Sequence, residues 1–502
     1  MLMVNTLTNS IDWHERARKL VPRTGVFIDG RFRDALSRET FDCISPIDGR
    51  VIAKVAAGAD RDVDAAVASG RAVFERGDWS RRPPRERKQV LLRFADLLRA
   101  HRDELALTET LDMGKPIADS LSVDVPSTAN CIQWYAEAVD KIYDEVAPTG
   151  HGSLALVTRE PLGVVGAIVP WNFPMIMAAW KLGPILAAGN SVVLKPSEKS
   201  PLTALRMAEL AVEAGLPPGA FNVVPGFGHT AGKALAQHKD VDGIGFTGST
   251  ATGKLIMGYA AQSNLKRVSL ECGGKSPNIV MGDYRDVQRA ARAAAYAIFF
   301  NQGEMCSAGS RLLVHESLKD ALLEEVASVA RELAPGDPLD PATKLGAIVD
   351  AQQMQRVLGY IDAGRQDGAR LTLGGSQVRA DTGGCYVQPT VFDDVRTSMR
   401  IAREEIFGPV LATITFREEA EAIAIANDTS YGLAAAVWTN DLNTAHRMAR
   451  AIRAGMVYVN CYDADDITVP FGGFRQSGMG RDKSLHAFDK FTELKTTWIE
   501  LA

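Results

Sequence analysis

Three residues, far apart in the sequence, have side chains that could perform nucleophilic chemistry together. Cys306 lies among small and polar residues just after an apolar helical stretch at 291–300, where a ligand could reach it. A thiolate is a strong nucleophile, and a carboxylate near it can act as general base toward the thiol or toward water. Glu271, at the end of a predicted strand, is the candidate base. Asn172, in a turn fixed by two prolines, is a candidate amide donor to an oxyanion.

Each of these residues, taken alone, also fits an ordinary structural role. A free cysteine is usually a small buried hydrophobic side chain. A glutamate at a strand end is commonly part of a salt bridge. The catalytic interpretation is favoured because other motifs in the same chain indicate a nucleotide site beside these residues.

Two motifs predict a nucleotide-binding edge on a parallel sheet. Residues 248–253 (GSTATG) follow a predicted strand and open a helix, so backbone N–H groups there could hold a pyrophosphate. Lys195 and Glu198 end another predicted strand and are suited to bind the two hydroxyls of a ribose. The carboxylate of Glu198 would repel a 2′-phosphate, which favours NAD over NADP. The plainer alternatives are a capped helix and a solvated turn.

The glycine-rich segment also leaves a second class of protein open. With Lys254 it resembles the phosphate-binding loop of nucleoside triphosphatases, but Leu255 stands where that loop needs a hydroxyl for magnesium. A nucleoside triphosphatase is therefore disfavoured. A catalytically idle binding protein on the same fold is the third alternative, and the presence of Cys306, Glu271 and Asn172 together speaks against it.

The elements that would position these residues form two alternating series. From 163 to 246, short β-branched runs alternate with helical stretches, which predicts a doubly wound parallel sheet. A second series from 276 to 460 predicts a second α/β domain, joined near Gly273. Residues 84–112 and 123–143 predict long amphipathic helices. The alternating run 491–499 predicts an edge strand that pairs with something, such as another subunit.

Composition excludes several classes of protein. A chain of 502 residues predicts two or three domains. The net charge of −5, from 56 basic and 61 acidic residues without a long block of one sign, argues against nucleic-acid or membrane-surface binding. Residues 1–20 do not resemble a signal peptide, and no apolar run approaches the ~20 residues of a membrane span. Scattered cysteines and dispersed histidines predict neither a disulfide framework nor a metal site, as expected of a cytoplasmic protein.

Together, the motifs resemble those of the aldehyde dehydrogenase superfamily over nearly the whole chain. The similarity rests on 170–174 (PWNFP), 195–198 (KPSE), 246–250 (FTGST), 271–277 (ECGGKSP), 301–306 (NQGEMC), 404–410 (EEIFGPV) and 470–474 (PFGGF). The resemblance implies an α/β fold with three parts, assembled as a dimer or tetramer. These are a Rossmann-like NAD-binding domain at 1–143 and 162–273, an α/β catalytic domain at 274–482, and a small β oligomerisation arm at 144–161 and 483–502.

The resemblance also implies a role for each site residue. Cys306 would attack the aldehyde, Asn172 and the Cys306 backbone N–H would hold the oxyanion, and Glu271 would activate the water that hydrolyses the thioester. Lys181 and Glu493 match a proton path. The residues matching NAD contacts are Trp171, Lys195, Glu198, Gly248, Ser249, Gly253, Glu405 and Phe407. Cys272 stands where leucine is common and is expected to pack. The presence of Glu271 disfavours the CoA-acylating branch, so a free acid is the expected product.

The substrate is predicted from the segment 460–470 and from the chain's end. The residues expected to line the substrate tunnel are Phe173, Trp180, Tyr462, Asp463, Asp465 and Phe471. Aspartates and aromatic faces there would attract a cation, although a solvated acidic loop is the plainer alternative. The run 474–487 resembles the bacterial polyamine- and arginine-catabolic branch, which includes the γ-glutamyl-γ-aminobutyraldehyde and 4-guanidinobutyraldehyde dehydrogenases. Both arguments favour an ω-amino or ω-guanidino aldehyde. A broad-specificity or an NADP-linked semialdehyde dehydrogenase is the nearest alternative.

Overall fold

The computed structural model describes residues 11–501 of the chain. Residues 1–10 and Ala502, which the predicted ranges for the NAD-binding domain and the arm include, lie outside the described residues. Among the helices of residues 11–501, none has both the length and the apolar character needed to cross a membrane.

The strands are numbered in chain order. They are β1 Val26–Ile28, β2 Arg31–Arg33, β3 Thr40–Ile44, β4 Val51–Ala56, β5 Glu145–Ala147, β6 Ser153–Pro161, β7 Val164–Ile168, β8 Ser191–Lys195, β9 Phe221–Val223, β10 Gly243–Gly248, β11 Arg267–Cys272, β12 Pro277–Val280, β13 Arg311–His315, β14 Arg370–Leu373, β15 Gln377–Val378, β16 Tyr386–Val387, β17 Thr390–Asp393, β18 Val410–Phe416, β19 Ala434–Trp438, β20 Met456–Val459, β21 Gly478–Met479 and β22 Thr492–Glu500.

The α-helices are numbered in the same way. They are α1 Trp13–Lys19, α2 Asp60–Arg76, α3 Pro84–Ala100, α4 Arg102–Met113, α5 Ile117–Asp119, α6 Val125–Ala138, α7 Pro174–Ala188, α8 Leu202–Glu213, α9 Lys233–Gln237, α10 Thr250–Ala261, α11 Val287–Phe299, α12 Lys319–Glu332, α13 Ala351–Gln366, α14 Arg400–Arg403, α15 Glu419–Asn427 and α16 Leu442–Ala451.

The first sheet has eight strands in the order β2-β1-β9-β8-β7-β10-β11-β21. The strands from β9 to β11 run parallel to one another, and β7 and β8 are buried along their whole length. Burial on both faces explains why these strands are continuous apolar runs rather than alternating ones. Helices α3, α6, α7 and α8 contribute to the apolar core on one face of this sheet, while α2, α9 and α10 contribute to the core on the other. The predicted doubly wound sheet is confirmed.

The second sheet has seven strands in the order β14-β17-β18-β13-β12-β19-β20. All of its neighbouring pairs are parallel except β14 with β17. Helices α11 and α12 pack on one face and α13, α15 and α16 on the other. The predicted second α/β unit is therefore also present.

A smaller sheet with the order β22-β6-β5 has almost no core of its own. Every residue of β22 after Thr492 is exposed, including Leu494, Trp498 and Ile499. The predicted edge strand at 491–499 is thus observed as β22, paired along its length with β6. Just before β22, the chain adds β21 to the edge of the first sheet, although β21 lies in the range predicted for the catalytic domain. The domain bounds stay a prediction.

One predicted helix is wrong in extent. Residues 84–112, predicted as one helix, form α3 and α4 with a break at His101. The His101 ring lies against Glu104 and against Arg206 from α8, at 3.1 Å from each. The break therefore lies at a contact with a distant helix, which a periodic apolar pattern does not show.

Candidate active site

The predicted site motifs follow the carboxyl ends of neighbouring strands in the first sheet. Four adjacent parallel strands carry these motifs. The end of β8 leads into Lys195 to Glu198, and the end of β7 into the Asn172 turn. The end of β10 leads into the 248–253 turn, and β11 ends with Glu271 and Cys272. Ligands of open α/β sheets bind outside the carboxyl ends of the strands. The sheet order therefore brings together motifs that lie up to about a hundred residues apart in the sequence.

Cys306 follows a turn in which three consecutive residues have left-handed backbone conformations. Asn301, Gln302 and Gly303 have φ values of 48°, 57° and 72°. Non-glycine residues rarely adopt such φ values and need surrounding contacts to hold them. The Gln302 side chain supplies one such contact, accepting a hydrogen bond from the Gly346 N–H at 3.0 Å. A Cβ on Gly303 would lie 2.3 Å from the Gly408 carbonyl oxygen, so only glycine fits.

Asn172 is tied to this same turn. Its amide Nδ2 donates to the Glu304 carbonyl at 2.8 Å, and the Asn301 amide donates to the Asn172 carbonyl at 3.1 Å. Pro174 begins α7 directly afterwards, where the missing N–H of proline is not needed. The Asn172 amide is thus held in one orientation. One of its two N–H groups donates to Glu304, and the other is not used in that bond.

Two cavities meet at Cys306. The larger cavity is about 540 Å³ in volume and the smaller cavity about 160 Å³. Both are lined by Cys306, Asn172 and Met177, so these side chains form the wall between them. Glu271 lines the smaller cavity. A molecule in either cavity can therefore reach the same sulfur atom from its own side.

Burial dominates the electrostatics around the thiol. Burial, followed by the charge of Glu271, raises the pKa of the Cys306 thiol well above its ordinary value, so the thiol keeps its proton near neutral pH. Burial also raises the pKa of Glu271 to about 8, against the opposing charge of Lys181. Among the described residues neither Glu271 oxygen has a hydrogen-bond partner. Such a carboxylate is a competent base near neutral pH.

Lys181 belongs to a buried ionic cluster behind Glu271. Its ammonium and that of Lys490 both bind the carboxylate of Asp482. Burial alone would raise the pKa of Asp482, but these two lysines hold it below its ordinary value. Glu493 lies elsewhere: it is exposed on β22 and pairs with Arg267 at 2.6 Å. The carboxylate beside Lys181 is therefore Asp482, which corrects the sequence-based expectation for Glu493.

Most of the residues predicted to contact NAD surround the smaller cavity. It is lined by Trp171, Gly248, Ser249, Glu405 and Phe407, together with Thr247, Gln353 and Arg356, which the sequence did not single out. The rings of Trp171 and Phe407 meet edge to face at 5.2 Å, and Glu405 accepts a hydrogen bond from the Gly274 N–H at 3.0 Å. The Thr247 hydroxyl is buried without a partner among the described residues.

Lys195 and Glu198 form a pair at the end of β8, with Nζ and Oε2 3.1 Å apart. The lysine is buried and the glutamate side chain is 36 % exposed. Burial opposes the charge on both groups, yet Lys195 keeps the pKa of Glu198 below its ordinary value. The pair therefore presents an ionised carboxylate and an ammonium, the two groups that suit ribose hydroxyls. A dinucleotide fits the donor and acceptor set at this sheet edge.

Gly253 has a packing role in the structure, and its predicted contact with NAD stays a prediction. It lies in the first turn of α10, and a Cβ there would come within 3.0 Å of the Cys272 sulfur. Gly253 therefore lets the helix approach β11, and it does not line the smaller cavity. Cys272 packs in that contact, as expected, and burial raises the pKa of its thiol to about 12.

The larger cavity is lined by most of the residues predicted for the substrate, namely Phe173, Trp180, Asp463, Asp465 and Phe471. Tyr462 is an exception, because its hydroxyl donates to the Ser307 carbonyl at 2.7 Å and it supports the wall from behind. Asp463 accepts a hydrogen bond from the Ser307 hydroxyl at 3.1 Å. Burial raises the pKa of Asp463.

One charged residue of the larger cavity was missed by the sequence analysis. Lys483 lines the cavity, with its ammonium bound to Asp465 and lying 5.6 Å from the ring centre of Trp180 and 5.9 Å from that of Phe471. The aromatic faces expected to hold a substrate cation therefore already contact a cation of the chain. No pattern in the sequence indicates this contact, because Lys483 sits among other charged residues at 481–483.

The chain is similar to aldehyde dehydrogenases along nearly its whole length. Residues 32–497 match the model of the aldehyde dehydrogenase family. The chain is 54 % identical over 489 residues to the NADP/NAD-dependent aldehyde dehydrogenase PuuC of Escherichia coli (strain K12), covering 97 % of this chain and 98 % of that protein.

Two solved structures are similar in fold as well as in sequence. The γ-glutamyl-γ-aminobutyraldehyde dehydrogenase of Burkholderia cenocepacia J2315 has a TM-score of 0.96 at 63 % identity, over 98 % of this chain and 99 % of that one. The indole-3-acetaldehyde dehydrogenase AldA of P. syringae, solved in complex with NAD+ and IAA, has a TM-score of 0.97 at 62 % identity, over the same shares.

Proposed function

The chain belongs to the aldehyde dehydrogenase family and is an oxidoreductase that acts on aldehydes with NAD, and we propose that its substrates are ω-amino or ω-guanidino aldehydes. The observation that supports the site assignment is the wall of Cys306 and Asn172 between two cavities, with Glu271 on the side of the smaller one. The larger cavity would then receive the aldehyde and the smaller cavity the nicotinamide end of the cofactor.

The chemistry of the proposed site follows from the side chains at that wall. Glu271, with its pKa raised to about 8, would accept the proton of the Cys306 thiol, whose sulfur attacks the aldehyde carbon. The second N–H of the Asn172 amide and the backbone N–H of Cys306 would hold the oxyanion of the thiohemiacetal. NAD, when bound, supplies the acceptor for the hydride. Glu271 would then take a proton from the water that hydrolyses the resulting thioester.

The proton taken up by Glu271 needs a route to solvent. Lys181 affects the pKa of Glu271 by its charge, and its ammonium binds Asp482, which binds Lys490 in turn. We assign the proton path to Lys181 and Asp482 rather than to Glu493. Release of a free acid is consistent with Glu271 being present, since a CoA-acylating enzyme would not need a base for water.

Glu198 is proposed to set the choice between NAD and NADP. Replacing Glu198 with alanine is expected to narrow the ratio of kcat/KM for NAD over NADP by about tenfold, because the charge that repels a 2′-phosphate is removed. The matched control is Glu213→Ala, which removes an exposed carboxylate from α8. An unchanged ratio in the Glu198 variant would contradict the ribose assignment.

Asp463 is proposed to recognise the substrate's cation, because Asp465 is already neutralised by Lys483. NADH formation at 340 nm should show a preference in kcat/KM for 4-aminobutyraldehyde and 4-guanidinobutyraldehyde over hexanal. Asp463→Asn is expected to lower kcat/KM for the two cationic aldehydes about tenfold and to affect hexanal little.

Asp466→Asn is the comparison for that experiment, since Asp466 lines the same cavity but is exposed and bonded to Thr468. Equal losses in both variants would mean that the loop acts through its total charge. If hexanal is turned over as well as the cationic aldehydes, the enzyme has broad specificity. The aspartates would then belong to a solvated loop without a role in substrate binding.

Assembly and compartment are proposed from the exposed surface and from the cysteines. The exposed apolar residues of β22 and of β5 suit a homo-oligomer in which this arm is covered by another subunit. Cysteines without disulfide spacing suit a cytoplasmic protein. The nucleoside triphosphatase alternative is set aside, because Leu255 and Lys254 are both exposed on α10 and the family is that of aldehyde dehydrogenases.

A further inference from the structure

Lys483 is an unusual group to find in the cavity proposed for aldehydes. Its side chain is only 1 % exposed, while that of its partner Asp465 is 64 % exposed. Burying an ammonium is costly unless it is paired and its donors are satisfied. Within residues 11–501, Asp465 is the one hydrogen-bonding partner of this ammonium, which has three N–H donors.

The surroundings of Lys483 fix its position rather than let it move to solvent. The neighbouring Asp482 backbone exchanges hydrogen bonds of 2.7 Å with Phe471 in both directions, and the Ser484 N–H donates to the Ile467 carbonyl at 2.8 Å. Lys483 and Ser484 both have positive φ, 61° and 50°, so the backbone bends sharply at this point. The backbone that carries Lys483 is therefore held in place on both sides, and the ammonium itself is bound to Asp465.

The charges of the larger cavity have a definite order. Asp463 lies near the nucleophile, since it accepts a hydrogen bond from the hydroxyl of Ser307, the residue after Cys306. The Lys483 ammonium lies instead over the rings of Trp180 and Phe471, which line the larger cavity and not the smaller one. Cys131 and Asn130 line the cavity away from the wall shared with the smaller cavity. An aldehyde bound to Cys306 would meet Asp463 first and Lys483 further along its chain.

We propose that Lys483 is a specificity-determining residue that binds a carboxylate or carbonyl oxygen at the distal end of the aldehyde. A simple ω-ammonium group reaching that depth would meet the like charge of Lys483, which is unfavourable. A distal group with both an oxygen anion and a nitrogen cation, such as an α-amino acid, would match Lys483 and the aspartates together. This inference rests on the proposed function and narrows its substrate class to aldehydes with such a distal group.

The test compares kcat/KM for γ-glutamyl-γ-aminobutyraldehyde, which ends in an α-amino acid, with that for 4-aminobutyraldehyde, which ends in an ammonium. Lys483→Met keeps an unbranched apolar side chain at this position and removes the charge. The ratio of the two kcat/KM values is expected to fall by about 10- to 100-fold, the range for loss of a charge-assisted hydrogen bond. Asp465→Asn, which frees the ammonium, should raise the ratio.

Lys54→Met is the matched control, because Lys54 is an exposed, ion-paired lysine on β4, where it binds Asp42 at 2.7 Å. If the Lys483 variant loses kcat/KM for both aldehydes equally, the role of Lys483 is structural and the proposal is overturned. If neither kcat/KM value changes, the proposal is overturned as well. If the native protein turns over neither of these aldehydes but oxidises hexanal, the aminoaldehyde function itself is wrong. That outcome is distinct from failure of the Lys483 assignment.

Discussion

Replacing Cys306 with alanine is expected to abolish NADH formation while NAD binding is retained. Removing a nucleophile leaves the oxyanion donors and the binding surfaces in place, but no covalent adduct can form. Losses of at least about 10⁴-fold in kcat are typical of such a substitution. Cys306 lines both cavities, and alanine at that position removes one atom from the wall without disturbing the Lys195 and Glu198 pair. NAD affinity should therefore change less than about threefold, as measured by calorimetry or by cofactor fluorescence.

Cys272→Ala is the matched control, since Cys272 is a second thiol and directly follows Glu271 in the sequence. Its sulfur packs against Gly253 and does not line either cavity, so turnover should stay within a few-fold of the native value. Substantial NADH formation by the Cys306 variant would contradict the covalent mechanism. If only the Cys272 variant lost turnover, the nucleophile would be Cys272 and the assignment of Cys306 would be wrong.

The second large effect is expected at Glu271. Glu271→Gln should lower steady-state turnover by about 10²- to 10⁴-fold, the range for loss of a general base. If an external base or solvent still deprotonates Cys306, the thioester forms once and then accumulates. A rapid-mixing experiment should therefore show a burst of NADH of up to one equivalent per active site, followed by a slow linear phase. Hydroxylamine attacks thioesters without help from a base and should restore turnover.

Rescue by hydroxylamine separates the two roles of the carboxylate. A variant with neither burst nor rescue would show that Glu271 is needed to ionise Cys306. A variant with native turnover would remove Glu271 from the mechanism.

The same carboxyl group predicts the pH dependence of the native enzyme. A base must be ionised to act, and burial raises the pKa of Glu271 to about 8. Turnover should therefore rise about tenfold per pH unit up to that value and then level off. Turnover rises with pH in this range because the pKa of Glu271 is raised. A glutamate with an ordinary pKa would already be ionised at pH 6, and turnover would then be level. The inflection near pH 8 should be absent from the residual activity of Glu271→Gln.

The parts of the fold that could be predicted are those set by local patterns. The run Ser191–Lys195 is apolar, β-branched and bounded by turn residues, and β8 has those same bounds. The break at His101 could not be predicted, because it lies at a contact with Arg206 from another helix. Strands as short as β1 and β2 have no apolar run long enough to stand out.

The site residues also divide into those that a local motif predicts and those that it does not. Cys306, Asn172 and Glu271 were found because each lies in a distinctive local motif, and the sheet order then brings those motifs together. Asp482 and Lys483 were not found, because a buried charge looks like any surface charge in the sequence until its partners are known. Those partners include Lys181 and Trp180 on α7, some three hundred residues earlier. Glu493 was assigned in place of Asp482 for that reason.

The late stretch of chain from 463 to 500 has a consequence for how the enzyme is made. It contributes Asp463 and Lys483 to the larger cavity, Asp482 to the buried cluster, β21 to the edge of the first sheet beside Glu271, and then β22. Chains emerge from the ribosome amino end first, and domains fold as they emerge. A nascent chain still anchored to the ribosome by these residues would have its cysteine nucleophile but neither a finished substrate cavity nor a route for protons. Catalysis should therefore begin only after residues 463–500 have left the ribosome and folded onto the rest of the chain.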